Sequence, residues 1–343
     1  GFYKKVKDEN GKSQILSLNL KTLEYEPKKK VKFATLETTK TIDDLKSRTK
    51  VLFNGKDRAG EFYRKSFIGL FQYVSNRVPE ITDDLYKVDD AMRAGFAWDI
   101  GPFEAWDAVG MEKAIKFMED AGKKPAQWIY DMIANGNTTF YKVEEGIKKY
   151  YDSTSRTYKT IPGTEKLIIL ENIRSSKTVW KNSACTLTDI GDGILNLEWS
   201  TKMNTIGGEV LAGVNKAIEI AENDYDGLVI SNDGTNFSAG ANVGLIFMMA
   251  VEQEYDELDF AIRAFQNTMM RVRYSSIPVV VAPHGLTLGG GCEMCLHADK
   301  VIANAETYIG LVEFGVGVIP GGGGTKEFVV RLNDELHDGD MRI

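Results

Sequence analysis

From residue 167 onward the chain passes repeatedly from a short apolar segment, through a turn, into a helix-like stretch. That succession restricts the fold more than any other feature. Residues 167–170, 186–190, 194–199, 227–231, 278–283 and 300–303 read as strands, and 208–222, 247–272 and 290–297 as helices. Strands separated by helical runs of this length predict an α/β layer architecture. Several of the turns are glycine-rich. Asn236-Phe237-Ser238-Ala239-Gly240-Ala241-Asn242 follows one apolar strand and Leu288-Gly289-Gly290-Gly291-Cys292-Glu293 another, while Gly310-Leu311-Val312-Glu313 precedes Pro320-Gly321-Gly322-Gly323-Gly324-Thr325.

The first 166 residues follow different periods. Residues 1–40 alternate like strands around Glu9-Asn10-Gly11-Lys12, where Asn-Gly favours a hairpin turn. From about residue 41 the period is helical. Phe62, Phe67, Phe71, Val74 and Val78 mark one amphipathic helix with Pro79 at its end, and Ile81, Leu85, Val88 and Met92 mark the next, with capping from Thr82, Asp83 and Asp84. Pro102 suits the first turn of a helix to about Val109 and Gly110 its C-cap, and further helices are expected at 112–121 and 125–134. Residues 141–166, polar and aromatic with Tyr141, Tyr150, Tyr151 and Tyr158, read as a linker. The expected organisation is a hairpin region (1–40), a helical domain (41–140), the linker (141–166) and an α/β domain (167–343).

Composition removes several classes of function. Of 343 residues, 43% are hydrophobic and 27% charged, a globular balance. The longest unbroken apolar run, residues 245–251, falls far short of the ~20 residues that span a bilayer, and no signal-peptide pattern opens the chain. Three cysteines cannot build a disulfide framework, which makes a reducing cytoplasmic setting the expectation. The net charge of −7 is unevenly spread. Residues 1–160 hold 29 basic and 24 acidic side chains, whereas 161–343 hold 13 and 25. So acidic a second half is not steered onto phosphate backbones, and the Lys28-Lys29-Lys30 run has no aromatic platform beside it, so no nucleic-acid partner is expected.

The glycine-rich turns carry the candidate chemistry. A strand, a Gly-rich turn and a helix leave backbone N–H groups aimed at whatever lies over the helix N-terminus. Two such turns could direct two donors at one developing oxyanion; taken singly, each also reads as a tight turn and nothing more. Neither Gly-x-Gly-x-x-Gly nor a Walker lysine stands between strand and helix. Cys292-Glu293-Met294-Cys295-Leu296-His297 lacks the spacing of a haem or zinc motif, so no metal is expected and the cysteines read as core packing. Phe247-Met248-Met249 reads as core first and pocket lining second. With His284, His297 and His337 the only histidines, a Ser-His-Asp triad has no supporting motif.

Ser238-Ala239-Gly240-Ala241-Asn242, Leu288-Gly289-Gly290-Gly291-Cys292-Glu293 and the stretch from Glu313 through Thr325 together resemble the motifs of the enoyl-CoA hydratase (crotonase) family, in order and in the separation of the two glutamates. The resemblance covers roughly residues 177–331. It implies that the backbone N–H groups of Ala241 and Gly290 bind the thioester oxygen, that Glu293 is the base on water and that Glu313 is the proton donor. Adding water across a conjugated thioester needs a base for the incoming hydroxyl, an acid for the α-carbon and stabilised charge on the enolate oxygen. The apolar neighbours Ile309, Leu311, Val312, Phe314 and Val316 suit a Glu313 kept from full ionisation. Two departures stand out: Asn242 replaces the usual Asp after the first motif, and His284 stands where relatives often carry Asn.

The first half has a resemblance of its own. Gly1-Phe2-Tyr3-Lys4, residues 91–96 and Gly101-Pro102-Phe103-Glu104-Ala105-Trp106-Asp107-Ala108-Val109-Gly110 are similar to the C-terminal helical region of 3-hydroxyacyl-CoA dehydrogenases. Together the resemblances imply a fragment of a multifunctional β-oxidation protein, with the NAD-binding domain upstream and the hydratase-like domain incomplete at its end. They imply a trans-2-enoyl-CoA substrate, no cofactor bound by this stretch, NAD for the missing dehydrogenase domain, and that domain as a partner alongside other copies of the chain. An enoyl-CoA isomerase, other CoA-thioester enolate chemistry, or a non-catalytic module binding CoA esters are the alternatives.

Overall fold

The computed structural model describes residues 1–7, 11–28, 31–42 and 44–335. Glu9, Asn10, Lys29, Lys30 and His337, named above, lie outside them. The chain divides into two units, Gly1–Glu165 and Lys166–Ile343.

The first unit opens with β1 (Tyr3–Lys7), β2 (Ser13–Leu18) and β3 (Tyr25–Pro27), an antiparallel sheet in that order. The helices α1 (Ala34–Thr39), α2 (Leu45–Asn54), α3 (Arg58–Ile81), α4 (Leu85–Phe96), α5 (Pro102–Val109), α6 (Met111–Asp120) and α7 (Gln127–Ala134) follow. Their core is aromatic. Phe53, Phe71, Phe103, Trp106 and Phe140 are wholly buried, and the Phe71 and Trp106 rings stack at 4.9 Å.

Pro79 lies inside the last turn of α3, at the end where it is expected. A proline there supplies no N–H to the carbonyl four residues back. The indole Nε1–H of Trp128 donates to that Ser75 carbonyl instead, at 2.8 Å. Pro102 opens α5 and Gly110 closes it at φ +97°, as expected. The α5 N-terminus is capped from α4, where the Asp89 carboxylate accepts from the N–H groups of Phe103 (2.9 Å) and Glu104 (3.2 Å). Asp84 stands at the start of α4, but its carboxylate takes Lys87 and the Tyr150 hydroxyl rather than capping the helix.

Residues 141–166 are not a linker. They hold β4 (Tyr141–Glu144), β5 (Ile147–Asp152) and β6 (Thr157–Thr160), an antiparallel sheet whose Tyr150 and Tyr151 are buried in the helical core. Pairing of Glu144 with Ile147 leaves Glu145-Gly146 as a two-residue turn, both at positive φ, the geometry that suits a tight hairpin. The charged composition hid the strands. The Asp107 carboxylate, accepting from Phe140 N and Tyr141 N at 2.8 and 2.9 Å, fastens the sheet to α5. The first unit is therefore helical with two small sheets, not all-helical behind one hairpin.

The second unit begins with α8 (Leu170–Lys177) where a strand at 167–170 is expected; Leu167 and Ile168 are exposed. Then come β7 (Thr178–Lys181), β8 (Cys185–Gly191), β9 (Ile194–Trp199), α9 (Gly208–Asp224), β10 (Gly227–Ile230), α10 (Val243–Val251), α11 (Tyr255–Arg273), β11 (Val279–Val281), β12 (Leu286–Leu288), α12 (Gly290–His297), β13 (Lys300–Val301), β14 (Tyr308–Gly310) and α13 (Gly324–Glu335). Six strands form one sheet in the order β13-β11-β10-β9-β8-β7, parallel from β13 to β9 and antiparallel beyond. Leu195, Leu197, Leu228, Ile230, Val279 and Val281, at alternate and mutually paired positions, make one buried apolar face of it. From α9, Val210, Val214, Ala217, Ile218 and Ala221 join the same core. The α/β architecture is the one expected.

The helix expected over 247–272 is two helices, parted at Glu252–Glu254 with Gln253 at φ +60°. No residue of α10 is buried, so Phe247 and Met248 are exposed rather than in the core. The helix contacts α11 and stands off the sheet. The short β12 and β14 pair in parallel, and Ser238 bridges to Thr287 on β12. That second layer brings the glycine-rich turns together.

Candidate active site

The first turn is built on Ser238, wholly buried. Its hydroxyl donates to the Asn204 carbonyl (2.7 Å) and accepts from Gly240 N–H (3.0 Å). Asn204, at φ +50°, donates its side-chain amide to Asn232 Oδ1 and to the Asn236 carbonyl. Asn236 Oδ1 accepts from Leu286 N, and His284 Nε2 donates to the Gly234 carbonyl, which makes His284 a brace between loops. Gly240 is required twice over: its φ is +84°, and a Cβ would sit 2.8 Å from the Leu288 carbonyl oxygen and 3.1 Å from Gly290 N.

Ala241 follows that turn and Gly290 begins α12. A Cβ on Gly290 would lie 3.8 Å from Ala241 N, so the two residues are close neighbours. Gly290 is the first residue of its helix, and its N–H has no intrahelical acceptor. Ala241 N–H makes no hydrogen bond among the described residues. The two donors that the sequence singles out thus lie side by side.

Glu293 stands one turn further along α12 and is 2% exposed. Its Oε1 accepts from Gly322 N–H (2.8 Å) and Gly324 N–H (3.0 Å). The glycines are obligatory at this approach. A Cβ on Gly322 would collide with the Phe265 ring and stand 2.6 Å from Glu293 Oε2, and one on Gly324 would lie 2.9 Å from Glu293 Cγ. Burial pushes the Glu293 carboxyl above its ordinary range, the two N–H bonds pull it back, and the Glu313 charge adds to the rise.

Glu313 opens a short 3₁₀ turn, Glu313–Val316, after β14. Its Oε1 would be 3.1 Å from a Cβ on Gly289, the residue that caps the helix bearing Glu293, and its Oε2 is buried without a hydrogen-bond partner among the described residues. Gly289 is held at φ +51° with its N–H on the Gly310 carbonyl. One glycine corner therefore carries two free backbone donors and faces two carboxyl groups. Such a constellation can hold an oxyanion on the donors and move protons on either side of it.

Glu293, Glu313, Ala241 and Gly290 are brought together. The sequence did not single out Ser238 as the support of the first turn, nor Gly322 and Gly324 as the donors to Glu293, although the four consecutive glycines signalled close backbone approach. Cys292 and Cys295 are buried free thiols, and burial pushes that of Cys292 up to about 12. They are core residues.

Residues 191–335 match the enoyl-CoA hydratase/isomerase family. Among curated proteins, the chain is 41% identical to the "Probable 3-hydroxyacyl-CoA dehydrogenase" of Bacillus subtilis (strain 168), over 98% of this chain and 42% of that protein. It is 29% identical to the "Putative fatty acid oxidation complex trifunctional enzyme" of Rickettsia felis, over 96% of this chain and 41% of that protein. A solved enoyl-CoA hydratase from Polaromonas sp. JS666 aligns with 47% of this chain and 65% of its own at 27% identity and a TM-score of 0.41. The chain thus spans less than half the length of the curated relatives it matches. Among the described residues no helix is long and apolar enough to cross a membrane. Residues 191–335, within the second unit, are thus similar to the enoyl-CoA hydratase/isomerase family, in a chain similar over nearly its whole length to proteins named for 3-hydroxyacyl-CoA dehydrogenation and fatty acid oxidation.

Proposed function

We propose that the second unit hydrates trans-2-enoyl-CoA to 3-hydroxyacyl-CoA. The observation that carries this reading is the pairing of two unengaged backbone donors, Ala241 N–H and Gly290 N–H, with two carboxyl groups around Gly289. The thioester carbonyl accepts from the two donors, which draw electron density from the conjugated double bond. Glu293 takes a proton from water as its oxygen bonds to the β-carbon. The enolate charge rests on the oxygen between the donors until Glu313 delivers a proton to the α-carbon. Water is consumed whole and the product keeps its oxidation level, so this step calls for no redox carrier.

The similarity to longer proteins, one of them named as a dehydrogenase, supports a parent chain that oxidises the 3-hydroxyacyl product with NAD in another domain. Sharing one chain raises the effective concentration of the intermediate at the second site. An acyl-CoA substrate, that dehydrogenase domain and further copies of the chain are the partners this reading supplies, in a cytoplasmic setting.

The test is the loss of conjugated-thioester absorbance from crotonyl-CoA with the full chain and its Glu293→Gln variant. Loss of a general base lowers kcat about 10²–10⁴-fold. Undiminished turnover in the variant overturns the assignment. A migrated double bond in the product identifies an isomerase, and binding of the CoA ester without turnover in either protein identifies a binding module.

A further inference from the structure

The loop that grips Glu293 is itself held by buried charges to which the proposed mechanism gives no part. Glu327, in the first turn of α13, has a wholly buried side chain, and three elements converge on it. Arg273, the last residue of α11, places Nη1 at 2.7 Å from its Oε2; Lys326 places Nζ at 2.7 Å from Oε1; and His297, the last residue of α12, places Nε2 at 3.6 Å from Oε1. The other ring nitrogen of His297 lies 2.7 Å from the Glu293 carbonyl oxygen. A carbonyl only accepts, so Nδ1 carries a proton. In the neutral ring Nε2 is then a bare acceptor, and it is buried without a hydrogen-bond partner.

The same cluster reaches the glycine loop. Gly323 lies between the two residues whose N–H groups bind Glu293, and a Cβ on it would rest 3.6 Å from His297 Nε2. Its carbonyl accepts from Glu327 N–H at 3.0 Å. On α11, two turns before Arg273, Phe265 lies against both Gly290 and Gly322. Loop, α12 and α11 thus meet at Glu327: the loop through its backbone N–H, α11 through its carboxylate, and α12 through His297 alongside Oε1.

We propose that Glu327, held by Arg273 and Lys326, and His297, held by the Glu293 carbonyl and packed against Gly323, each brace the loop that positions the Gly322 and Gly324 N–H donors on Glu293; they act through that loop and touch no reacting atom. A buried carboxylate shared by cations from two helices is costly to desolvate and is a weak source of stability, but it fixes geometry in a way apolar packing does not. The inference rests on the reading of Glu293 as the base on water. The charged and titratable groups facing the junction are Arg273 from α11, Glu293 and His297 on α12, Lys326 and Glu327 on α13, and Glu313 across Gly289.

The readout is the acid limb of the pH profile of kcat/KM for crotonyl-CoA, which reports ionisation of the base in the free enzyme. The two N–H donors stabilise the Glu293 carboxylate, so loosening them raises the pH at which it ionises. In the full chain, Glu327→Gln is expected to move the acid limb up by about one pH unit, the equivalent of ~1.4 kcal/mol, and to lower kcat more than it alters KM. His297→Asn, which keeps a donor near the position of Nδ1–H, is expected to preserve the fold while moving the limb in the same direction. Hydrogen exchange at Gly322 and Gly324 is expected to quicken in both variants, a readout independent of turnover. If Glu327→Gln does not fold, His297→Asn carries the test. An unmoved limb with unchanged exchange in a folded variant overturns the brace. Full activity in Glu293→Gln overturns the underlying reading instead, and leaves faster exchange as the brace's own signature.

Discussion

Replacing Ser238 with alanine tests how the first donor turn is held. The hydroxyl is buried and makes two hydrogen bonds, but the two partners fare differently without it. The Asn204 carbonyl keeps the Trp199 indole N–H at 3.1 Å and stays satisfied. Gly240 N–H, buried beside Leu288, loses its acceptor. A lost hydrogen bond costs about 1 kcal/mol and an orphaned buried donor about 1–3 kcal/mol, so Ser238→Ala is expected to cost about 2–4 kcal/mol. For a unit of this size that lowers Tm by roughly 4–16 °C in calorimetry. Ala241 follows the same turn, and misplacing one oxyanion donor is expected to lower kcat for crotonyl-CoA about 10²-fold well below Tm. A variant within 0.5 kcal/mol of the parent and fully active would refute the reasoning, because the turn would then be held by its backbone alone.

Two further outcomes concern the first unit. Trp128→Phe removes the indole donor from the Ser75 carbonyl that Pro79 leaves unserved, and is expected to cost about 1–3 kcal/mol; adding Pro79→Ala, which restores a helical N–H to that carbonyl, should recover much of the loss in a double-mutant cycle by urea unfolding, and strict additivity would sink the explanation. Burial pushes the Asp89 carboxyl up to about 6 and that of Asp107 up to about 7. Between their unfolded values near 4 and these folded ones the native state holds more protons than the unfolded chain, so stability falls as pH rises from about 4 to about 7. Urea unfolding across that range should show the decline, and Asp107→Asn should flatten its upper part; an unaltered slope would count against the assignment.

The fold of the second unit was largely legible because its signals are local. The β9 strand Ile194–Trp199 and the α12 helix Gly290–His297 fall where apolar runs and glycine punctuation put them. The errors have local causes too. In residues 141–160 four tyrosines stand among lysines and glutamates, so composition resembled a linker while register made a sheet. Leu167 and Ile168 are β-branched or bulky and apolar, yet they are exposed ahead of α8, whose Arg174 anchors it on Glu198. The Met-rich α10 looked like core because hydrophobicity alone does not say which surface an element meets.

The sequence by itself determined the α/β class and the glycine turns, because turn conformation and hydrophobic period are properties of a few neighbouring residues, and the four residues to look at followed from the family resemblance of its motifs. Only the tertiary structure decided that Ala241 and Gly290 share one corner, that Gly322 and Gly324 grip Glu293, and that Glu327 lies behind them among Arg273, Lys326 and His297. Apart from Lys326, the neighbour of Glu327 in sequence, those relations join residues about 30 to 55 positions apart. A hydrogen bond falls off within an ångström, and no spacing along the chain reports a distance that the packing of α11, α12 and α13 sets.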